Sequence, residues 1–291
     1  MLLAGPTASG KSRLAIEVAE RLGGTVVNAD SMQVYRDLRV LTARPSVEDE
    51  QRVPHRLYGH RDGAELYSVG QWLRDVERTL QEIDGLPIVT GGTGLYFSAL
   101  DDGLVEVPDI PPEVRARWRA QDPRTLQDCL SSWDPEGAMM LQQGDTQRLL
   151  RALEVLEVTG KPLREHAQLT PLLVGATVTR IVLEPPRPVL RERIAARFDT
   201  MIEAGAVEEV ETLMARDLDP SLPIRKALGV REIAAMLRGE VSESEARERI
   251  VIGTRQYAKR QSTWFRNKFG PDWRRVQTAD EAAELVGRYS A

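Results

Sequence analysis

The sequence predicts an α/β protein, a parallel sheet flanked by helices and interrupted by an all-helical insertion. Strand-like β-branched runs alternate with amphipathic helices over the first hundred residues, the pattern of a parallel sheet with helical crossovers. From about Asp101 to Gln168 the strand signal disappears and helical spacing takes over. The chain has 291 residues, 42% of them hydrophobic, enough to bury a large core. The expected division is a first core part over 1–106, a helical insertion over 107–168, and a second core part over 169–291.

The opening Met-Leu-Leu-Ala reads as a short strand leading into a glycine-rich loop and a helix. In that helix Leu14, Ala15, Val18 and Leu22 recur at helical spacing until Gly23-Gly24 ends it. Thr25 to Asn28 is a β-branched strand, with Asp30 just past its end. Ser68 and Gln71 form a capping box ahead of Val69, Trp72, Leu73, Val76, Leu80 and Ile83, one apolar helix face. Leu86 to Thr90 is a further strand, followed at once by Gly91-Gly92-Thr93-Gly94. Pro108, Pro111 and Pro112 mark entry to the insertion. Within it Asp145 caps a helix that buries Leu149, Leu153 and Leu156 and stops near Gly160 and Pro162. Thr177 to Leu183 returns to the sheet, and a long helix runs from about Ser242 to Phe269.

No apolar run approaches the roughly 20 residues of a membrane span, and nothing at the start reads as a secretory signal, so a cytoplasmic protein is expected. Cys129 is the single cysteine, which excludes an internal disulfide. A net charge of −5 argues mildly against a nucleic-acid partner. The distribution counters this, because Arg255 to Arg275 holds seven Lys/Arg against the single acid Asp272.

Gly5-Pro6-Thr7-Ala8-Ser9-Gly10-Lys11-Ser12 fits G-x-x-x-x-G-K-[ST] between a predicted strand and an amphipathic helix. The glycines let backbone N–H groups turn toward phosphate oxygens at a helix N-terminus. Lys11 then reaches the terminal phosphate and Ser12 offers its hydroxyl to a magnesium ion. The core is therefore expected to be P-loop NTPase-like. The motif identifies a polyphosphate rather than a reaction, so ATP binding and hydrolysis, phosphoryl transfer and departure of diphosphate all remain open. Asp30, on the segment after the first helix, suits a group facing the acceptor, as in small-molecule kinases.

Five segments resemble the tRNA dimethylallyltransferases (tRNA isopentenyltransferases): GPTASGKS at 5–12, NADSMQVY at 28–35, GGTGLYF at 91–97, DTQRLLRALEVLEVTGKPL at 145–163 and TRQYAKRQSTWFR at 254–266. They run in the family's order over almost the whole length. The resemblance implies transfer of a dimethylallyl group from dimethylallyl diphosphate to the exocyclic amine of the adenosine 3′ of a tRNA anticodon. Asp30 is then the general base and Thr93 contacts the target nucleotide. Lys11, the rest of the loop from Gly5 to Ser12, and Arg197 in RIAARFDTM hold the diphosphate with Mg2+. Asp30, Ser31, Met32, Gln33, Thr93 and Arg115 meet RNA, as does the QRLLR segment Gln147, Arg148, Leu149, Leu150 and Arg151. The insertion grips the anticodon loop, whose target base must leave its stack.

On the long helix, Arg255, Lys259, Ser262 and Arg266 recur at intervals of four, three and four and are expected to face tRNA phosphates as one stripe. Three positions depart from the family's pattern: Leu41 where glycine is usual, Arg56 in place of a second histidine, and Lys226 in place of glutamine. A monomer is the default expectation. The competing readings are a P-loop kinase of a small metabolite and a non-catalytic RNA-binding P-loop protein.

Overall fold

The computed structural model describes residues 1–141 and 144–288. Residues 142–143 of the expected insertion and 289–291 of the expected second core part lie outside the described residues. The described chain forms two compact units, one of Met1–Asp101 with Leu173 onward, the other Asp102–Leu172.

The first unit is built on one parallel sheet of β1 (Leu2–Ala4), β2 (Gly24–Asn28), β3 (His55–Arg56), β4 (Leu86–Gly91), β5 (Arg180–Leu183) and β6 (Trp273–Val276), in the order β3-β2-β4-β1-β5-β6. β1 lies between β4 and β5, with Leu3 opposite Thr90 on one side and Ile181 on the other. β1 and β2 are buried along their whole length, as continuous apolar runs are when helices cover both faces of a parallel sheet. The sheet gains two strands the sequence did not announce. β3 has two residues. β6 carries the exposed pair Arg274-Arg275 between buried Trp273 and Val276, charges that suit an edge strand and mask its period.

In chain order the helices are α1 (Lys11–Leu22), α2 (Val47–Arg52), α3 (Val69–Glu82), α4 (Gly94–Asp102), α5 (Pro112–Arg119), α6 (Pro123–Trp133), α7 (Pro135–Met140), α8 (Thr146–Thr159), α9 (Arg187–Glu203), α10 (Ala206–Ala215), α11 (Val230–Leu237), α12 (Glu243–Lys268) and α13 (Ala279–Arg288). α1 ends where Gly23 takes φ +63° and returns its N–H to Ala19, the left-handed cap glycine favours. The α3 capping box forms as the sequence predicts, and the helix buries Trp72, Val76 and Thr79. α9, α10, α11 and α12 share a second apolar core around Ile194, Phe198, Val210, Ile233 and Ile250.

The helical unit contains α5 to α8 around Trp118, Leu126, Leu130, Leu149 and Leu153. Its ends pair as a stem, Glu106 N–H to the Ala167 carbonyl at 2.8 Å and Leu169 N–H to Leu104 at 2.6 Å. This pairing is why the unit extends past the expected 107–168. α8 begins at the Asp145 side chain, which accepts the Arg148 N–H, and ends at Gly160 with φ +67°.

Candidate functional site

The phosphate loop leaves β1 at Gly5 and enters α1 at Lys11. Ser9 N–H bonds the Pro6 carbonyl at 3.1 Å, Ala8 takes φ +65° and Gly10 φ +95°, so the loop is a tight nest of inward backbone groups. Lys11 Nζ lies 3.4 Å from the Pro6 carbonyl. Burial lowers its pKa to about 8, with the Asp30 carboxylate opposing the shift and Arg197 reinforcing it. Burial also depresses the Arg197 guanidinium, again opposed by Asp30. Lys11, Arg197 and Asp30 thus sense one another at one place, although nearly two hundred residues separate the outer two in sequence. Arg193, four residues before Arg197 on α9, donates from Nη1 to the Ser9 carbonyl at 3.0 Å. Sequence reading passed over Arg193, yet its spacing from Arg197 puts both on one helix face.

Asp30 stands on a rigid turn. Fully buried Asn28 donates to the carbonyls of Asp30 and Leu57, both at 3.0 Å, and accepts the Asp30 N–H at 2.8 Å. The Asp30 carboxylate accepts the Met32 N–H at 3.0 Å. Behind it, the Trp72 indole donates to the Asn28 carbonyl at 2.9 Å and stacks on Tyr96 at 4.1 Å. Thr93 joins the same group, since its N–H reaches the Ala29 carbonyl at 3.2 Å and its Oγ1 accepts the Ser31 N–H at 3.0 Å. Met32 packs partly against the α9–α12 core. Gln33 spends its amide N–H on the carbonyls of Thr42 and Ala43, both at 2.8 Å.

α12 closes over the Gly91–Gly94 turn. Buried Gln261 donates to the Gly92 carbonyl at 2.9 Å and accepts the Thr7 N–H at 2.8 Å. A Cβ on Gly92 would fall 2.1 Å from the Gln261 amide nitrogen, and one on Gly94 would fall 2.0 Å from the Trp264 indole. A side chain at either position would displace these two α12 side chains. The Trp264 indole N–H is buried with no hydrogen-bond partner among the described residues.

A cavity of about 300 Å³ opens beside these groups. Asp30, Thr7 and Arg197 line its polar side, and Ile194, Phe198, Met201 and Ile250 its apolar side. Two of the three departures, Leu41 and Lys226, border it. Leu41 packs against Gly229 and is held by Glu209 of α10, whose carboxylate accepts the N–H groups of Arg39, Val40 and Leu41 at 2.8, 2.8 and 3.0 Å. The left-handed residue of this turn is Ala43, at φ +52°, so Leu41 needs no glycine geometry. Lys226 is exposed at the rim, as is Arg260, whose guanidinium lies over the Tyr257 ring at 5.6 Å. Arg56 is exposed on β3, away from the residues that line the cavity.

The expected α12 stripe is interrupted. Arg255 and Lys259 are exposed and border a groove with Arg187 and Arg191 of α9. Ser262 is buried at 8% exposure, because the α9 packing face of α12 passes through it. Arg266 approaches Glu184 at 3.8 Å, and Arg275 meets the same carboxylate at 3.6 Å. Part of the basic zone is therefore internally paired.

In the helical unit, Gln147 and Arg148 are exposed, and Arg148 pairs with Asp145 at 3.3 Å. Burial lowers the pKa of half-buried Arg151; Glu154 opposes that shift and nearby half-buried Arg115 reinforces it. Leu149 corrects the sequence reading. Its side chain is 1% exposed in the core with Leu153, so it supports the QRLLR face from beneath and is not presented at the surface; Leu150 packs half-buried against the same core. Trp118 is core and donates to Glu157 at 2.7 Å, while Trp133 remains half exposed against it.

Comparison with known proteins places this geometry in context. The family profile described as IPP transferase matches residues 33–268, and one described as isopentenyl transferase matches 1–62. A tRNA dimethylallyltransferase of Azorhizobium caulinodans is 54% identical, over 99% of this chain and 95% of its own. One of Mesorhizobium japonicum is 50% identical, over 97% of this chain and 90% of its own. Among solved structures, the full-length tRNA isopentenylpyrophosphate transferase of Bacillus halodurans superposes at TM-score 0.70 with 31% identity, covering 99% of this chain and 94% of that one. A eukaryotic dimethylallyltransferase described as acting on tRNA superposes at 0.83 with 25% identity, over 99% of this chain and 78% of its own.

Proposed function

Because the chain belongs to the tRNA dimethylallyltransferase (IPP transferase) family, we propose that it moves a dimethylallyl group from dimethylallyl diphosphate to the exocyclic amine of the adenosine 3′ of the anticodon in tRNA. The observation that carries the reading is the convergence of Asp30, Lys11 and Arg197, with an apolar cavity wall beside them. The amine nitrogen attacks the first carbon of the dimethylallyl group as the bond from that carbon to the diphosphate oxygen breaks. The proton released by the amine passes to the Asp30 carboxylate, and the electron pair leaves with diphosphate. Lys11, Arg197 and the backbone N–H groups of the phosphate loop stabilise the charge that grows on the leaving group. The apolar side of the cavity holds the five-carbon group and keeps water from competing with the amine. Thr93 fixes Ser31 beside the base and presents its face to the target nucleotide.

Magnesium fits the donor set. The exposed Ser12 hydroxyl makes no hydrogen bond within the described chain, and the described residues hold no cluster of three His, Cys, Asp or Glu. A single hydroxyl suits an ion that keeps its waters and takes its other ligands from phosphate oxygens. When bound, the ion neutralises charge on the diphosphate.

The anticodon loop is the proposed RNA partner, gripped by the Gln147, Arg148 and Arg151 face with Arg115, and by Arg255 and Lys259. A monomer in the cytoplasm is the proposed state; no described helix is long and apolar enough to cross a membrane. The deciding experiment incubates the protein with dimethylallyl diphosphate and unmodified tRNA. Prenylated tRNA with one diphosphate released per transfer is expected. ADP formed from ATP with no prenylated RNA would overturn the reading in favour of a kinase.

A further inference from the structure

We infer that Gln261 is a positioning residue that fixes the spacing between the leaving-group loop and the general base by stapling Thr7 to Gly92. The inference rests on the transferase reading above. Its physical basis lies in how the two loops leave the sheet. β1 and β4 are neighbours in register, with Ala4 opposite Gly91, and the last backbone bond between them is Gly5 N–H to the Gly91 carbonyl at 3.3 Å. Beyond that point one chain becomes the phosphate loop and the other the Gly91–Gly94 turn, and the ladder no longer holds them together.

Gln261 replaces the missing rung. It comes from α12, 254 residues from Thr7 and 169 from Gly92, and is 5% exposed. Its Oε1 accepts from Thr7 and its Nε2 donates to Gly92, so one planar amide sets the separation of the two backbones. Thr7 borders the cavity on the phosphate-loop side. The residue after Gly92 is Thr93, which holds the Ala29 carbonyl and the Ser31 N–H on either side of Asp30. The amide is therefore one bond set away from both ends of the reaction. Transfer needs the amine, the carbon and the leaving oxygen aligned, and a misplacement of about 1 Å costs on the order of 10²-fold in rate. Gly92 is part of the same device, since any Cβ there would occupy the space of the Gln261 amide.

The test uses single-turnover prenylation with saturating tRNA and dimethylallyl diphosphate, alongside the affinity for each substrate. Gln261→Met keeps the length of the side chain but removes both hydrogen bonds. It should slow the chemical step by roughly 10–100-fold while each substrate affinity changes less than about threefold. Gln261→Glu supplies a sharper arm. When ionised, its carboxylate accepts from Thr7 but opposes the Gly92 carbonyl. When protonated, it can accept and donate as the amide does. Its rate relative to wild type at the same pH should therefore recover as pH falls, and that of Gln261→Met should not. A residue that only supports the fold would lower thermal stability without this acid rescue.

Wild-type rates in both variants, a rate loss fully matched by lost substrate affinity, or Gln261→Glu unfolded at every pH would each overturn the inference. Gly92→Ala displaces the amide from the opposite side and should reproduce the Gln261→Met rate; wild-type turnover there would also count against it. Wild-type protein that fails to prenylate tRNA would instead sink the transferase reading itself.

Discussion

In the sheet unit, Lys11 and Arg197 sit in surroundings that depress both pKa values, and the backbone around Asp30 is pinned by Asn28, Thr93 and Trp72. In the helical unit, Gln147 and Arg148 stand in solvent on a helix whose opposite face is a plain apolar core. The contrast matches the proposed division between charges that act on the leaving group and charges that collect RNA. Desolvated, fixed charges act strongly on a developing negative charge and need no reorganisation as it forms. Solvated arginines on a helix face add less each but can follow a flexible phosphate backbone. Substitutions should therefore separate into effects on rate in one unit and on RNA affinity in the other.

The largest expected effect removes one side of the comparison. Replacing 107–168 with a short glycine–serine linker leaves the stem pair Leu104–Leu169 and deletes α5 to α8 with their core. The remaining sheet unit should fold and bind dimethylallyl diphosphate by calorimetry, while tRNA prenylation falls below detection. Undiminished tRNA binding would show that the RNA contacts belong to the sheet unit alone.

Next comes Asp30, the proposed base. Asp30→Asn keeps an oxygen for the Met32 N–H but cannot take the amine proton. Single-turnover rates should fall by roughly 10²–10⁴ with both substrates still bound. A titration of magnesium discriminates further, because recovery of rate at high metal would make Asp30 a metal-linked residue. Near wild-type rates at ordinary magnesium would remove it from the mechanism.

Lys11→Ala should cost on the order of 10²–10³ in turnover and leave tRNA affinity in place. The lysine also predicts two pH trends of opposite sign. In the free protein the folded ammonium loses its proton near pH 8, and the unfolded one near its ordinary 10.5. Between those values the unfolded state binds more protons, so stability rises with pH, and the full penalty of the buried charge applies below about 8. Diphosphate affinity should instead fall over the same interval as the ammonium is lost. Denaturation midpoints and calorimetric titrations from pH 7 to 10 measure both, and Lys11→Met should flatten both.

The parallel sheet and the helix faces were largely readable because buried strands and capped helices leave period and punctuation in the sequence. Ser68 with Gln71, and Asp145 with Gly160, marked helix ends where the structure has them. β3 and β6 were unreadable because two or four residues carry no period, and β6 exposes two arginines. Within the site, Lys11 and Asp30 stood out through motif and resemblance. Gln261, Asn28, Arg193 and Glu209 did not, because their partners are mostly backbone groups that no local pattern announces. Leu149 was misassigned for a related reason: a contiguous motif spans every face of a helix, and burial divides it.

The smallest effect tests whether the sheet unit also contributes solvated charge to RNA capture. Arg187, Arg191, Arg255 and Lys259 border one groove between α9 and α12, and none forms an ion pair among the described residues. Arg266, on the same helix, already approaches Glu184. If the groove meets tRNA phosphates, each charge removed from it releases one fewer counterion on binding. The slope of log affinity against log salt should become shallower by roughly 0.7–0.9 per charge, so Arg255→Ala/Lys259→Ala should lose about twice that. Arg266→Ala should lose less, since its charge is partly spent within the protein. Prenylation rate at saturating tRNA should not change in either variant, because neither touches the cavity that holds Asp30. Filter binding across a salt series measures the slope. An unchanged slope in the double variant would assign these cations to an ordinary solvated surface and leave RNA capture to the helical unit alone.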